Sequence, residues 1–268
     1  MPFVVSKFGG TSLCSGEMFL RVRDIVKENP NRRIVVVSAP GKRDRSDTKV
    51  TDLLLLLSEN RSRRLFNVLE DRLLSIADTL QTDIGNEIEK IRKAVFSLAD
   101  EAEIVSRGEW LSGIIMSRLL GFHFLDAADA ILFSGSETDG KTYEKIRNAF
   151  SEHGGLVIPG FYGRDEKGRI RLFPRGGSDI TGAIAAKAIG AELYENWTDV
   201  NGVYDKNPAE YRDAKKISEM TFSEMKRLAD EGACVLHPDS LAPVREAGIP
   251  VRVKNTFNPG ETGTLIRP

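Results

Sequence analysis

Phe3-Val4-Val5-Ser6-Lys7-Phe8-Gly9-Gly10-Thr11-Ser12 is the stretch on which the fold of this chain turns. Residues 3–6 read as a buried strand, because apolar and β-branched side chains follow one another without a polar face. The strand breaks at Gly9-Gly10, and a helical pattern follows from about residue 15 to residue 28. Residues 34–37 read as the next buried strand. Short β-branched runs alternating with amphipathic stretches predict an α/β fold with a mainly parallel central sheet. The pattern continues outward. Apolar runs recur at 130–133, 156–159, 170–173, 193–197 and 251–253, and residues 179–189, 222–230 and 238–247 read as helices. Between 53 and 102 the pattern is helical and heavily charged, and it predicts a helical layer over one side of the sheet. With no repeat, low-complexity segment or linker, one continuous domain is expected.

Three loops carry candidate chemistry. In Lys7-Phe8-Gly9-Gly10-Thr11-Ser12 the glycines let backbone N–H groups approach a phosphate, and the helix start that follows favours negative charge. Lys7 adds a point charge there. An ordinary strand–helix turn with a surface lysine would read the same way. The second loop is Phe173-Pro174-Arg175-Gly176-Gly177-Ser178-Asp179. Its glycines suit a loop wrapped around an anion, and Arg175 can hold a carboxylate through two parallel hydrogen bonds. Asp179 reads as a helix N-cap, as a partner of Lys7, or as both. The third, Trp197-Thr198-Asp199-Val200-Asn201-Gly202-Val203-Tyr204, follows a strand. In open α/β sheets ligands bind beyond the carboxyl ends of strands. Thr198 and Asp199 therefore stand where a nucleotide can be read and Tyr204 where one can stack, although Asn201-Gly202 also fits a plain turn.

A rival phosphate loop exists at Gly135-Ser136-Glu137-Thr138-Asp139-Gly140-Lys141-Thr142, which matches GxxxxGK[ST] after an apolar run. Glu137 and Asp139 would then face the phosphates, and no apolar strand ending in aspartate supplies the magnesium partner. A polar turn leading into a helix is the preferred reading. His123, between two phenylalanines, reads as a core residue. No pair of histidines has metal-ligand spacing, and no metal site is expected.

Composition narrows the function classes. Lys+Arg 38 against Asp+Glu 39 gives a net charge of −1, so nothing favours nucleic acid or an anionic membrane. Cys14 and Cys234 form no CxxC pair, which fits a reducing cytoplasm. Lys7 and the glycines cut short the opening apolar run, and the leucine run 53–57 is too short to span a bilayer. A cytoplasmic protein without membrane partners is expected.

Taken together, the motifs resemble the aspartokinase branch of the amino-acid kinase family. They run in order through KFGGTS (from Lys7), VVVSAPGK (Val35), TKVTDLLL (Thr48), RGEWLS (Arg107), IPGFYG (Ile158), RGGSDITGA (Arg175), ENWTDVNGVY (Glu195), VLHP (Val235) and IPVRVKNTF (Ile249) to NTFNPGETGTLI. The resemblance implies a three-layer αβα sandwich, with the acceptor held by residues 1–190 and the nucleotide by 191–268. It implies ATP-dependent phosphorylation of the L-aspartate side chain, the first step towards lysine, threonine and methionine. It also implies Mg²⁺ bound with ATP, and a homodimer. Lys7 matches the lysine that neutralises the transferring phosphoryl group, Asp179 the acid that organises it, and Phe8, Gly9 and Gly10 the phosphate-side backbone. Ser38 and Thr51 match positions near the acceptor, and Glu109 the acid that binds its amino group. Arg175 matches the clamp on its α-carboxylate, with Gly176, Gly177 and Ser178 beside it. Thr198, Asp199, Tyr204, Asp205, Lys206, Asn207, Cys234 and Val235 match the nucleotide side.

Two substitutions depart from the pattern. Cys234 stands where the family has a phosphate-contacting lysine, and Ala209 where it has an arginine, so Lys206 is the nearest candidate to supply charge. Members usually continue into small regulatory domains, and none is expected within these 268 residues. A kinase for another acidic amino acid, or a non-catalytic subunit of the same fold, is the alternative.

Overall fold

Val4–Phe8 (β1) is buried at every position and lies near the centre of an eight-stranded sheet. The computed structural model describes residues 2–97, 99–174, 176–206, 210–230, 236 and 238–268. The other strands, in chain order, are β2 (Arg32–Val37), β3 (His123–Phe124), β4 (Phe133–Ser134), β5 (Glu137–Thr138), β6 (Leu156–Pro159) and β7 (Tyr162–Arg164). They continue with β8 (Ile170–Leu172), β9 (Leu193–Thr198), β10 (Glu219–Thr221), β11 (Val251–Asn255) and β12 (Thr264–Arg267). The helices are α1 (Gly16–Glu28), α2 (Val50–Asn60), α3 (Arg63–Leu80), α4 (Gly85–Phe96), α5 (Glu101–Leu120) and α6 (Ala127–Ala130). Beyond them come α7 (Lys141–His153), α8 (Gly177–Ile189), α9 (Phe222–Asp230) and α10 (Ala242–Glu246).

The sheet runs in the order β10-β12-β11-β9-β1-β2-β6-β3. From β11 to β3 every pairing is parallel, and β12 turns antiparallel against β11. Helices cover both faces, which is why β1, β2 and β9 are largely buried on both sides. α5 packs against β2 and β6 with α1 beside it and α2 to α4 outside, while α8 packs against β1, β2 and β9, flanked by α7 and α10. A mainly parallel sheet between helical layers, the three-layer αβα sandwich expected, is thus the architecture observed. α8 comes close to the sheet because its core-facing side chains are small: a Cβ on Gly182 would lie 2.6 Å from the Tyr194 hydroxyl. Its buried alanines fit the same narrow space.

A buried polar cluster lies under β1. Glu195 accepts from Ser6 Oγ at 2.9 Å, from Arg32 at 2.7 and 3.0 Å, and from the Trp197 indole at 2.9 Å. Burial alone would raise the Glu195 carboxyl, but Arg32 and these donors hold it below the ordinary glutamate value.

Several expectations are corrected. Residues 130–133 do not form a sheet strand: α6 ends at Ala130, and Phe133 opens the separate β4–β5 hairpin. Residues 170–172 pair with β7 in a second hairpin outside the main sheet. The 53–102 stretch divides into separate helices at Arg61 and Gln81, both in left-handed conformation (φ 48° and 50°). His123 is exposed rather than in the core, and its ring stacks on His153 with centroids 3.7 Å apart. The helix expected over 238–247 is a 3-10 turn followed by the short α10.

Candidate active site

Parallel pairing places the carboxyl ends of β1, β2 and β9 side by side, and the candidate loops leave from those ends. The chain leaves β1 into Gly9 and a 3-10 turn, Gly10–Leu13. It leaves β2 into Ser38 and the 38–49 loop, and β9 into Asp199. Main-chain hydrogen bonds tie the loops together: Gly9 N–H to the Trp197 carbonyl (3.0 Å), Ser38 N–H to that of Phe8 (3.1 Å) and Gly41 N–H to that of Gly10 (2.7 Å). Gly10 and Gly41 meet backbone to backbone. A Cβ on Gly41 would lie 2.5 Å from the Gly10 carbonyl carbon, so no larger residue fits without moving a loop. The Gly9 amide is therefore engaged within the fold. The amides that open the 3-10 turn, those of Gly10 and Thr11, have no partner inside the turn and are the donors a phosphate can use.

Lys7 reaches past Gly9 to α8. Its Nζ lies 2.6 Å from Asp179 Oδ1, with the two side chains 10% and 14% exposed. Asn196, level with Lys7 on β9, donates to the same Asp179 oxygen at 2.7 Å. Asp179 is the partner of Lys7 and not the N-cap: the cap is Gly176, left-handed at φ 74°, and Asp179 lies in the first turn of α8. A Cβ on Gly177 would come within 2.8 Å of Phe161 and Phe173, and one on Gly160 within 2.6 Å of Ser178. Close approach thus explains Gly177 in the loop and Gly160 opposite it. Arg175 lies outside the described residues.

A cavity of about 580 Å³ opens beside this junction, lined among others by Gly10, Ser38, Thr51, Glu109 and Asp199. It joins residues far apart in the chain. Glu109 sits in the middle of α5, 4% exposed, with Oε2 buried and without a partner. Desolvation pushes its carboxyl up to about 8, and hydrogen bonding from the Ala39 backbone offsets only part of that. A buried acid with an unused oxygen beside a ligand-sized cavity is a receptor for a cation or a hydrogen-bond donor. Lys7, the turn amides and the α8 N-terminus favour anions close by. The combination suits a ligand that carries both charges, next to a polyphosphate.

The remaining expected positions divide. Thr198 ends β9 and its hydroxyl donates to Asp199 at 3.1 Å. Tyr204 forms an isolated bridge with Lys216, Asp205 accepts from the Lys215 amide at 2.8 Å, and Lys206 pairs with Asp213 at 2.6 Å. None of these three is in the described lining of the cavity. Asn207, Ala209, Cys234 and Val235 lie outside the described residues. The rival loop at 135–142 is a hairpin leading into α7. Its Thr142 hydroxyl is buried against the Leu132 backbone, and Asp139 accepts from the Lys141 amide, so the turn is filled by its own chain.

Sequence reading missed Asn196, which helps hold Asp179, and Phe161, whose φ of 79° is unusual for a bulky residue. Asn196 could have been suspected as a polar residue inside a buried run. No sequence signal marks Phe161.

The model of the amino acid kinase family matches residues 2–255. The chain is 38% identical to aspartokinase 3 of Bacillus subtilis, over 98% of its own length and 63% of the relative's. It is similar to the crystal structure of Clostridium acetobutylicum aspartate kinase (TM-score 0.93, 39% identity), covering 100% of this chain and 63% of that one. It is also similar to E. coli aspartokinase III in complex with aspartate and ADP (TM-score 0.83, 28% identity), over 99% of this chain and 64% of that chain. The chain thus spans a little under two thirds of the length of these relatives.

Proposed function

Since the chain belongs to the amino acid kinase family, we propose that it transfers the γ-phosphoryl group of ATP to the side-chain carboxylate of L-aspartate, giving 4-phospho-L-aspartate and ADP. The observation that carries this reading is Glu109: a buried carboxyl group with an unpartnered oxygen, in the same cavity as Gly10 and Ser38 of the anion-binding loops. The complex of aspartate and ADP with the E. coli relative supports both substrates.

In this reading an aspartate carboxylate oxygen attacks the γ-phosphorus and the bond to the β-phosphate oxygen breaks, so the electron pair leaves with ADP. The nucleophile has an ordinary pKa of about 4 and is already ionised at neutral pH, so the site needs no general base. Its task is to align two anions and offset their repulsion. Lys7, held by Asp179, and the Gly10 and Thr11 amides take the charge of the transferring group. Glu109 takes the acceptor ammonium, and Arg175 clamps the α-carboxylate beside Gly176, Gly177 and Ser178. Ser38 and Thr51 complete the acceptor side. Thr198, Tyr204 to Asn207, Cys234 and Val235 serve the nucleotide. Mg²⁺ enters as part of the MgATP substrate, whose phosphate oxygens supply ligands of the kind this ion prefers. Asp199, an exposed carboxylate on the cavity wall, suits the same ion.

We place the protein in the cytoplasm as a homodimer. Among the described residues no helix is long and apolar enough to cross a membrane. ADP release with aspartate, with glutamate and with no acceptor tests the assignment. Turnover that needs aspartate supports it, whereas a preference for glutamate would move the activity to another acidic amino acid.

A further inference from the structure

Arg72 lies in α3, in the helical layer, yet it is only 4% exposed and its guanidinium points into the loops of the site. Nη2 donates to the Gly41 carbonyl. Nη1 donates to the Thr48 carbonyl at 3.0 Å and to the Asp47 carboxylate. Gly41 and Thr48 are near the two ends of the loop between β2 and α2, and one side chain holds both. Asp47 also accepts from the Arg43 amide at 2.9 Å and its guanidinium at 3.0 and 3.2 Å, which closes the loop on itself. Burial alone would raise the Asp47 carboxyl, but Arg43 and Arg72 keep it well below the usual carboxylate range. The other side of the Gly41 residue faces the phosphate loop, through its N–H to Gly10 and the tight glycine contact. A single guanidinium therefore links the helical layer to the acceptor-side loop, and that loop to the turn after Lys7.

We propose that Arg72 is a positioning residue that clamps the 41–48 loop against the phosphate loop and so sets the spacing between acceptor and transferring phosphoryl group. This rests on reading the site as one for phosphoryl transfer to aspartate. In such a reaction the register of the two reactants matters more than any single contact, and a misplacement of about 1 Å can cost on the order of a hundredfold in rate. Lysine cannot replace Arg72, since it lacks the planar fork that spans two carbonyls and a carboxylate.

The test combines amide hydrogen exchange with kinetics on Arg72→Met, Arg72→Lys and Asp47→Asn. In Arg72→Met the Gly41 amide should exchange at least about tenfold faster, because its closed state loses the clamp. kcat/KM for aspartate should fall by about tenfold or more while KM for ATP stays within about twofold, a split that a general loss of stability does not produce. Arg72→Lys should fall between Arg72→Met and the parent, and Asp47→Asn should move both readouts the same way by less. If Arg72→Met does not fold, Asp47→Asn carries the test without emptying the guanidinium site. Unchanged Gly41 exchange in the folded variants overturns the clamp, and so does an aspartate kcat/KM within about twofold of the parent. If the parent itself shows no turnover with aspartate, the functional reading fails, and exchange at Gly41 still decides whether Arg72 holds the loop.

Discussion

Glu109 sets a conflict between stability and function in a single side chain. Its folded-state pKa of about 8 stands above the ordinary 4.5. Between those values the folded protein holds a proton that the unfolded chain has released, so stability falls by about 1.4 kcal/mol per unit rise in pH and levels off above the folded value. Glutamine mimics the protonated acid and escapes this loss. Glu109→Gln should therefore gain on the parent by on the order of 2 kcal/mol more near pH 8 than near pH 6, measured by denaturant unfolding at each pH. The same substitution removes the partner of the acceptor ammonium. In the parent, kcat/KM for aspartate should rise with pH towards about 8 as Glu109 ionises, and the variant should lose both the affinity and the slope. A variant that keeps the parental pH profile would show that Glu109 does not meet the substrate. Lys7 and Lys141 give the second contrast at this scale. Lys7→Ala should lower kcat by on the order of a thousandfold, as for loss of a charge aimed at the transition state. Lys141→Ala should stay within a few-fold of the parent by steady-state assay, because its loop is closed by Asp139 and Thr142. The reverse ranking would move the phosphate site to residues 135–142.

Loops and helix ends build the site, and here the legibility of the sequence was uneven for physical reasons. β1 and β2 were readable because burial on both faces favours short runs of β-branched apolar residues, here Val4-Val5 and residues 34–37. α1 and α9 were readable because one wet face leaves a clear helical period. β9 was harder, since Glu195 and Asn196 interrupt its apolar run. The runs at 130–133 and 170–173 look alike on paper. Three or four apolar residues carry no period, so nothing local told a hairpin from a sheet strand. β3, β10 and β12 are short edge or near-edge strands whose pairing is set by distant partners. The Lys7, Gly10 and Asp179 positions were legible because parallel strands end on one side. Arg72 was not, although it falls among Phe66, Leu69, Leu73 and Ile76 on the buried stripe of α3, where a charge calls for a partner. The contact of Gly10 with Gly41 gives a prediction for the loops as units. Gly41→Ala must separate two backbones rather than turn a side chain, and should lower kcat/KM for aspartate at least about tenfold, with a loss of about 1–3 kcal/mol in unfolding free energy. Gly260→Ala, with open space around its Cβ, should change stability by less than about 0.5 kcal/mol. Equal effects of the two in thermal and kinetic assays would remove the close contact from the account.

Across the whole molecule one parallel sheet does the organising work. It puts Lys7, Ser38 and Asp199 at adjacent strand ends, α8 brings Asp179 and the glycine loop to them from one face, and α5 brings Glu109 from the other. Lys7 and Asp179 are paired there, and Glu109 keeps an unpartnered oxygen towards the cavity. That arrangement defines the reaction proposed, and its product is open to a direct assay. Incubation with MgATP, L-aspartate and hydroxylamine, followed by mass spectrometry, should yield the β-hydroxamate of aspartate, formed only when all three are present and suppressed in Lys7→Ala. Release of ADP without any hydroxamate, or equal hydroxamate from the Lys7→Ala variant, would contradict phosphoryl transfer to the aspartate side chain at this site.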